Sequence, residues 1–268
     1  MNIRFVIKAL LMVIPLAILI SAGWVLARTG FARIPDPTPA PPTILVPQGE
    51  MPAGSVGLQE WAQYRNEPYR PVGSGFLLLL GGGEVVGVTT AHSVSLSDPN
   101  HRLERIALGI AGRAEQRWEF ETLHGPPGRS VGPNNLSADY LLLEVGQAIE
   151  EDLLLVPDPR GAPQPGERVT LYSGLGDGRG GLRVLEGTVQ SVEEKGFWVL
   201  MDRWFSPGQM SGSPIVSQHT GQAVGMVVVG SPRLGRILLG AHPIGSLVDL
   251  AESATDFPTM SEMSSESR

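Results

Sequence analysis

What most constrains this chain is the rhythm of its middle section. From about Gly54 to Ala254, short apolar or alternating runs are broken repeatedly by glycine, proline and asparagine. Runs this short, bounded by turn formers, are strands rather than helices. The pattern predicts strands over 73–80, 84–91, 103–110, 117–123, 140–145, 168–173, 182–192, 197–202, 213–217, 223–230 and 237–243, then a short closing helix over 244–252. The 34 glycines and 23 prolines suit many tight turns and argue against a helix bundle. An all-β core is expected, and 268 residues leave room for one globular domain of ordinary size.

The flanks read differently. Residues Ala9 to Ala27 are 19 uncharged positions in a row, which at about 1.5 Å per residue match the ~30 Å hydrocarbon core of a bilayer. A secretory signal peptide competes with a membrane anchor here. Arg4 and Lys8 make a basic leader, and Ser21-Ala22-Gly23 or Val25-Leu26-Ala27 resemble cleavage sites. The stretch is long for a signal peptide, which favours an uncleaved, single-pass helix with the following domain extracytoplasmic. Arg28 and Arg33 beyond it leave only a slight charge bias toward that orientation.

Pro35, Pro37, Pro39, Pro41, Pro42, Pro47 and Pro52 follow, a composition for an extended polyproline spacer or a disordered linker. Beyond Ser253 the chain is polar and acidic, with too little apolar surface to offset ordering entropy. The expected organisation is an anchor at 1–30, a Pro-rich linker at 31–55, a β domain at 56–254 and a disordered tail at 255–268.

Composition removes several functions. With 20 Lys+Arg against 27 Asp+Glu the formal charge is -7, so the basic footprint of a nucleic-acid binder is missing. There is no cysteine, hence no disulfide, thiol nucleophile or cysteine-ligated metal. The five histidines, His92, His101, His124, His219 and His242, form neither His-Glu-x-x-His nor His-x-His, and no metal or cofactor is expected. Gly176-Asp177-Gly178-Arg179-Gly180-Gly181 fits Gly-x-Gly-x-x-Gly, but a strand pattern follows where a dinucleotide site needs a helix. It reads as a hairpin loop.

A serine nucleophile needs a base, a group that fixes the base's tautomer, and backbone donors for the oxyanion. Three segments offer these parts: Thr89-Thr90-Ala91-His92-Ser93 at a strand end, Asp139 just before the run Tyr140-Leu141-Leu142-Leu143, and Gly208-Gln209-Met210-Ser211-Gly212-Ser213-Pro214. Taken singly, each has an ordinary structural explanation as a strand-end histidine, a turn aspartate and a loop serine.

Their order carries more. Gly73-Ser74-Gly75-Phe76, Thr90-Ala91-His92, Asp139-Tyr140-Leu141-Leu142-Leu143, Gln209-Met210-Ser211-Gly212-Ser213-Pro214 and Gly225-Met226-Val227-Val228-Val229-Gly230 follow one another along the chain. In this the sequence resembles the chymotrypsin-like (trypsin-like) serine proteases over about residues 70 to 250, nearest the disulfide-free bacterial Deg-type branch. The resemblance implies two six-stranded antiparallel β-barrels with a short C-terminal helix. It implies His92 as general base, Asp139 as its orienting partner and Ser211 as nucleophile, with the N–H groups of Gln209 and Ser211 as oxyanion hole. It further implies Val228, Val229 and Gly230 as the strand that holds a peptide, and Phe205 at the base of the primary pocket. With no carboxylate there, a small or apolar residue is expected before the scissile bond, although Asp202 lies close by. Gln209 and Met210 depart from the family, which usually has Gly and, in digestive relatives, Asp. Too little chain follows the closing helix for the PDZ domain of many Deg-type enzymes.

The resulting expectation is a membrane-anchored serine endopeptidase acting on protein or peptide substrates without a cofactor. Two alternatives stand beside it: an inactive protease-fold module that binds peptides, and an α/β-hydrolase esterase, which would need Gly-x-Ser-x-Gly turning a strand into a helix.

Overall fold

The computed structural model describes residues 47–263, apart from 53–54, 97, 99–100, 114 and 177–181. The expected anchor at 9–27, the linker as far as 46 and most of the Gly-x-Gly-x-x-Gly loop lie outside these residues. Among the described residues no helix is long and apolar enough to cross a membrane.

Seven strands make the first sheet: β1 (Leu58–Tyr64), β2 (Arg70–Leu79), β3 (Val85–Thr89), β4 (Leu103–Gly109), β5 (Arg117–Phe120), β6 (Leu141–Glu144) and β7 (Leu154–Leu155). Their order is β5-β4-β1-β2-β3-β6, antiparallel throughout, with β7 parallel beside β2. The sheet curls onto itself beyond β5, where the His124 N–H donates to the Leu142 carbonyl at 2.8 Å and the Glu144 N–H to the Thr122 carbonyl at 3.1 Å. Six further strands form a closed barrel: β8 (Arg168–Gly176), β9 (Leu182–Glu193), β10 (Gly196–Met201), β11 (Pro214–Ser217), β12 (Ala223–Arg233) and β13 (Arg236–Pro243). The second barrel thus has the expected six strands. The first departs from that expectation by the short β7.

Burial on both faces explains the unbroken apolar runs. In β2, Leu77 points into the first barrel, while Phe76 and Leu78 join a separate cluster with Val88, Tyr172, Val216 and Met226 that fastens the barrels together. In β12, Val227 lies in the core of the second barrel and Met226 and Val228 in that inter-barrel cluster. The helix α1 (Ile244–Glu252) closes the cluster with Ile244, Leu247 and Ala251.

Besides the two-residue β7, two elements were not legible in the sequence. β1 turns Leu58, Glu60, Ala62 and Tyr64 inward, and a glutamate at an inward position disguises its alternation. The expected tail at 255–268 is packed over part of its length. Thr259 bridges to Thr122, a helical turn α2 (Met260–Met263) follows, Met260 is fully buried in the first barrel, and Arg102 donates to the Ser261 carbonyl. One large side chain inserted into an existing core supplies the apolar surface that the segment lacks on average.

Candidate active site

The chain turns sharply at the end of β3. Thr89 closes the strand and a single 3-10 turn, Ala91–Ser93, buries Ala91 as its anchor and leaves the His92 side chain 37% exposed. Facing it is Asp139, 1% exposed, at the end of a second such turn, Leu136–Ala138, that leads into β6. One carboxylate holds His92 twice: Oδ1 accepts the His92 backbone N–H at 3.1 Å, and Oδ2 lies 2.7 Å from ring Nδ1. A carboxylate only accepts, so the network assigns the hydrogen to Nδ1 and leaves Nε2 as an acceptor. Burial pushes the Asp139 carboxyl up, but the His92 ring and backbone, aided by the Ser130 hydroxyl, outweigh it and hold the group below its usual range.

Ser211 comes from the other barrel. Its Oγ lies 3.0 Å from His92 Nε2 and 3.2 Å from the Val228 carbonyl oxygen, so its one hydrogen has two acceptors. The loop that carries it is clamped from both sides. The Ser74 N–H on β2 donates to the Ser211 carbonyl at 2.9 Å, and the Gly212 N–H donates to the Val227 carbonyl at 2.8 Å. Gly212 has φ +90, and a Cβ there would collide with the Ser74 carbonyl, so only glycine fits. Met210 is buried in the second core and anchors the loop by packing.

Gln209 adopts φ +61, the left-handed conformation that the usual glycine would take without strain. Its carbonyl accepts the Ser74 hydroxyl at 2.9 Å, which fixes the following peptide. Among the described residues the N–H groups of Gln209 and Ser211 have no hydrogen-bond partner, whereas those of Met210, Gly212 and Ser213 do. Unpaired backbone donors on either side of Met210 are the kind of group that can stabilise an anion when they converge on it.

No protein-family model matches the chain, and no curated protein matches it. Solved structures do. A thermostable serine protease from an extremophilic microorganism superimposes with a TM-score of 0.52 at 13% identity, covering 75% of this chain and 97% of its own. Neuropsin, a serine protease expressed in the limbic system of mouse brain, gives 0.51 at 15% identity over 78% and 98%. Human heparin binding protein gives 0.53 at 15% over 77% and 94%. The fold is that of the chymotrypsin-like serine proteases. At these identities the likeness establishes the fold alone.

Within the chymotrypsin-like fold, the other expected residues fall as follows. Val228, Val229 and Gly230 lie on β12, where the pairing register with β13 shifts between Val227 and Val229. Gly230 is hemmed in: a Cβ there would meet Pro207 at 2.7 Å and Leu239 at 3.1 Å. Phe205 is 4% exposed and packs in the second core with Met210 and Leu239. Asp202 is tied to Arg168 at 2.7 Å, which holds its carboxyl below the usual range.

His242 is fully buried edge-on to Tyr140, and burial pushes it down to about 4, so it stays neutral behind Asp139. Glu84, His124 and Glu144 bring ligand atoms within 4.8 Å of one another. There, however, His124 is already engaged, by Glu144 at 2.6 Å and the Ala251 carbonyl at 3.0 Å. Gly128-Arg129-Ser130-Val131-Gly132 matches the esterase pattern in letters alone. It sits in irregular chain, with neither the strand nor the helix that pattern requires.

The sequence reading missed Ser74 and Ser130 as supports of the site. Ser74 lies in Gly73-Ser74-Gly75-Phe76, but only contact across the barrels reveals its part.

Proposed function

We propose that this chain is a serine endopeptidase that cleaves peptide bonds through an acyl-enzyme. The observation that carries the reading is the continuous relay from Asp139 to His92 at 2.7 Å and from His92 to Ser211 at 3.0 Å. Ser211 Oγ attacks the scissile carbonyl carbon and its proton passes to His92 Nε2, while Asp139 stabilises the imidazolium. The carbonyl oxygen, now negative, is held by the N–H groups of Gln209 and Ser211. His92 then gives the proton to the leaving amine, the C–N bond breaks, and water repeats the sequence to release the acid.

The edge of β12 at Val228 to Gly230 suits an extended peptide added as a strand. Pro207 and Leu239 crowd Gly230, which favours a small residue before the scissile bond. Membrane tethering, with the barrels extracytoplasmic, is part of the proposal on the strength of the apolar stretch at 9–27 and its flanking charges.

The test is labelling of the full-length chain with a fluorophosphonate probe, read by intact mass. A single adduct is expected, absent in Ser211→Ala and His92→Ala and slowed by on the order of 10⁴-fold in Asp139→Asn, which favours the wrong tautomer. Undiminished labelling of Ser211→Ala, or none of the folded wild type, would reject the proposal. The second of these outcomes points to the peptide-binding module instead.

A further inference from the structure

Beneath the cleft lies a carboxyl that the mechanism above does not use. Glu60 on β1 is fully buried and pairs with Gly73 of β2 and Leu108 of β4. Its Oε1 is 3.0 Å from Ser93 Oγ, and the Thr89 hydroxyl also reaches the carboxyl. Oε2 has no hydrogen-bond partner among the described residues. It faces Gly73, where an added Cβ would stand 2.5 Å from Oε2 and 3.3 Å from the Ser211 carbonyl oxygen. Glycine at this position lets the carboxyl lie against the backbone that supports the nucleophile.

The competition for hydrogens bears on the state of this group. Each hydroxyl has one to give, and a carbonyl only accepts. Thr89 Oγ1 lies 2.8 Å from the Ser74 carbonyl oxygen, and Ser93 Oγ lies 2.7 Å from that of Thr90, closer than its contact to Glu60. Each hydroxyl therefore has a backbone carbonyl as well as the carboxyl competing for its single hydrogen. A carboxylate there would be a buried charge with shared donors on Oε1 and none on Oε2, whereas a carboxylic acid supplies a hydrogen of its own.

We propose that Glu60, as a carboxylic acid, is a positioning residue that ties the base to the nucleophile from beneath. Ser93 adjoins His92. Thr89 holds the Ser74 carbonyl, and Ser74 in turn holds Ser211 and Gln209 through its N–H and hydroxyl. Glu60 thus touches the end of β3 and the turn after it directly and reaches the nucleophile loop of the other barrel through Thr89 and Ser74. Burial pushes its pKa up to about 8 against the opposing hydroxyls of Ser93 and Thr89, in keeping with the acid form at neutral pH.

Charged groups on the flanking elements are engaged elsewhere. His92 is bound to Asp139, Arg70 lies over the Tyr64 ring, Glu104 pairs with Arg65, Arg105 with Glu121, and Arg168 with Asp202 and Glu186. The Tyr64 hydroxyl accepts the Ser95 N–H.

The inference rests on the reading of His92, Asp139 and Ser211 as catalytic, so its test has a readout independent of turnover. For the full-length wild type, Glu60→Gln and Glu60→Ala, kcat and KM are measured against pH, and the His92 ring N–H proton is followed by NMR. In the wild type kcat should fall through a step near pH 8 with KM steady, and the His92 resonance should move over the same interval. Glu60→Gln retains a donor. It should keep kcat within about threefold at neutral pH and lack both the step and the shift. Glu60→Ala should lose about 10–100-fold in kcat; if it does not fold, the glutamine variant decides.

A flat wild-type resonance around pH 8, or a step that survives in Glu60→Gln, would overturn the inference. If no substrate is turned over, the proposed function fails, while the His92 resonance still reports on Glu60.

Discussion

Gln209 occupies a left-handed conformation with a side chain that gains nothing from it. The part it contributes is a backbone N–H, and its φ of +61 places a Cβ where a glycine would have none. The conformation costs an L-residue about 1–2 kcal/mol, and it persists because Ser74 holds its carbonyl and Gly212 locks the far end of the loop. Gln209→Gly is therefore expected to leave thermal stability unchanged or slightly higher, and to label with fluorophosphonate at least as fast. A tenfold or greater loss of labelling would mean that the side chain itself takes part. A glutamine at this position is thus held by hydrogen bonds from another barrel, which no local reading of 208–214 could supply.

At the scale of elements, β1 and the final turn make the same point. The alternation in Leu58-Gln59-Glu60-Trp61-Ala62-Gln63-Tyr64 is regular once Glu60 is known to point inward, but glutamate at a core position reads as surface. The segment after Ser253 reads as tail because its mean composition is polar, yet Met260 inserts fully into the first barrel. Met260→Ala should destabilise the fold by about 2–4 kcal/mol in urea unfolding, whereas removal of a frayed tail residue would change nothing measurable. By contrast β2 to β6, β8 to β13 and α1 were legible, because their apolar runs and bounding turns are local signals.

At the scale of the molecule, two buried titratable groups set how stability depends on pH. Glu60 has a raised pKa in the folded state, so its contribution is complete below its usual value of 4.5 and declines as pH rises to about 8. His242 has a lowered one, so its contribution grows with pH from about 4 to 6.5. Each contributes a slope of about 1.4 kcal/mol per pH unit, of opposite sign. The lowered carboxyls of Asp139, Asp158 and Asp202 act only in the acid range. Stability should therefore be nearly level from pH 5 to 6.5 and fall by roughly 2 kcal/mol between 6.5 and 8. In Glu60→Gln it should rise to 6.5 and stay there. Urea unfolding across this range measures both, and a wild-type curve still rising above pH 6.5 would contradict the burial of Glu60 as an acid.

By itself the sequence determined the all-β class, the position of most strands, the order His92, Asp139, Ser211 and the absence of disulfides, since each depends on residue types and spacings along a short stretch. The tertiary structure decided the rest. The 3.0 Å approach of His92 and Ser211, the anchoring of the Gln209 loop by Ser74 and the carboxyl beneath them all join segments far apart in the chain. Such contacts follow from the docking of one barrel on the other, and a linear pattern holds no record of that geometry.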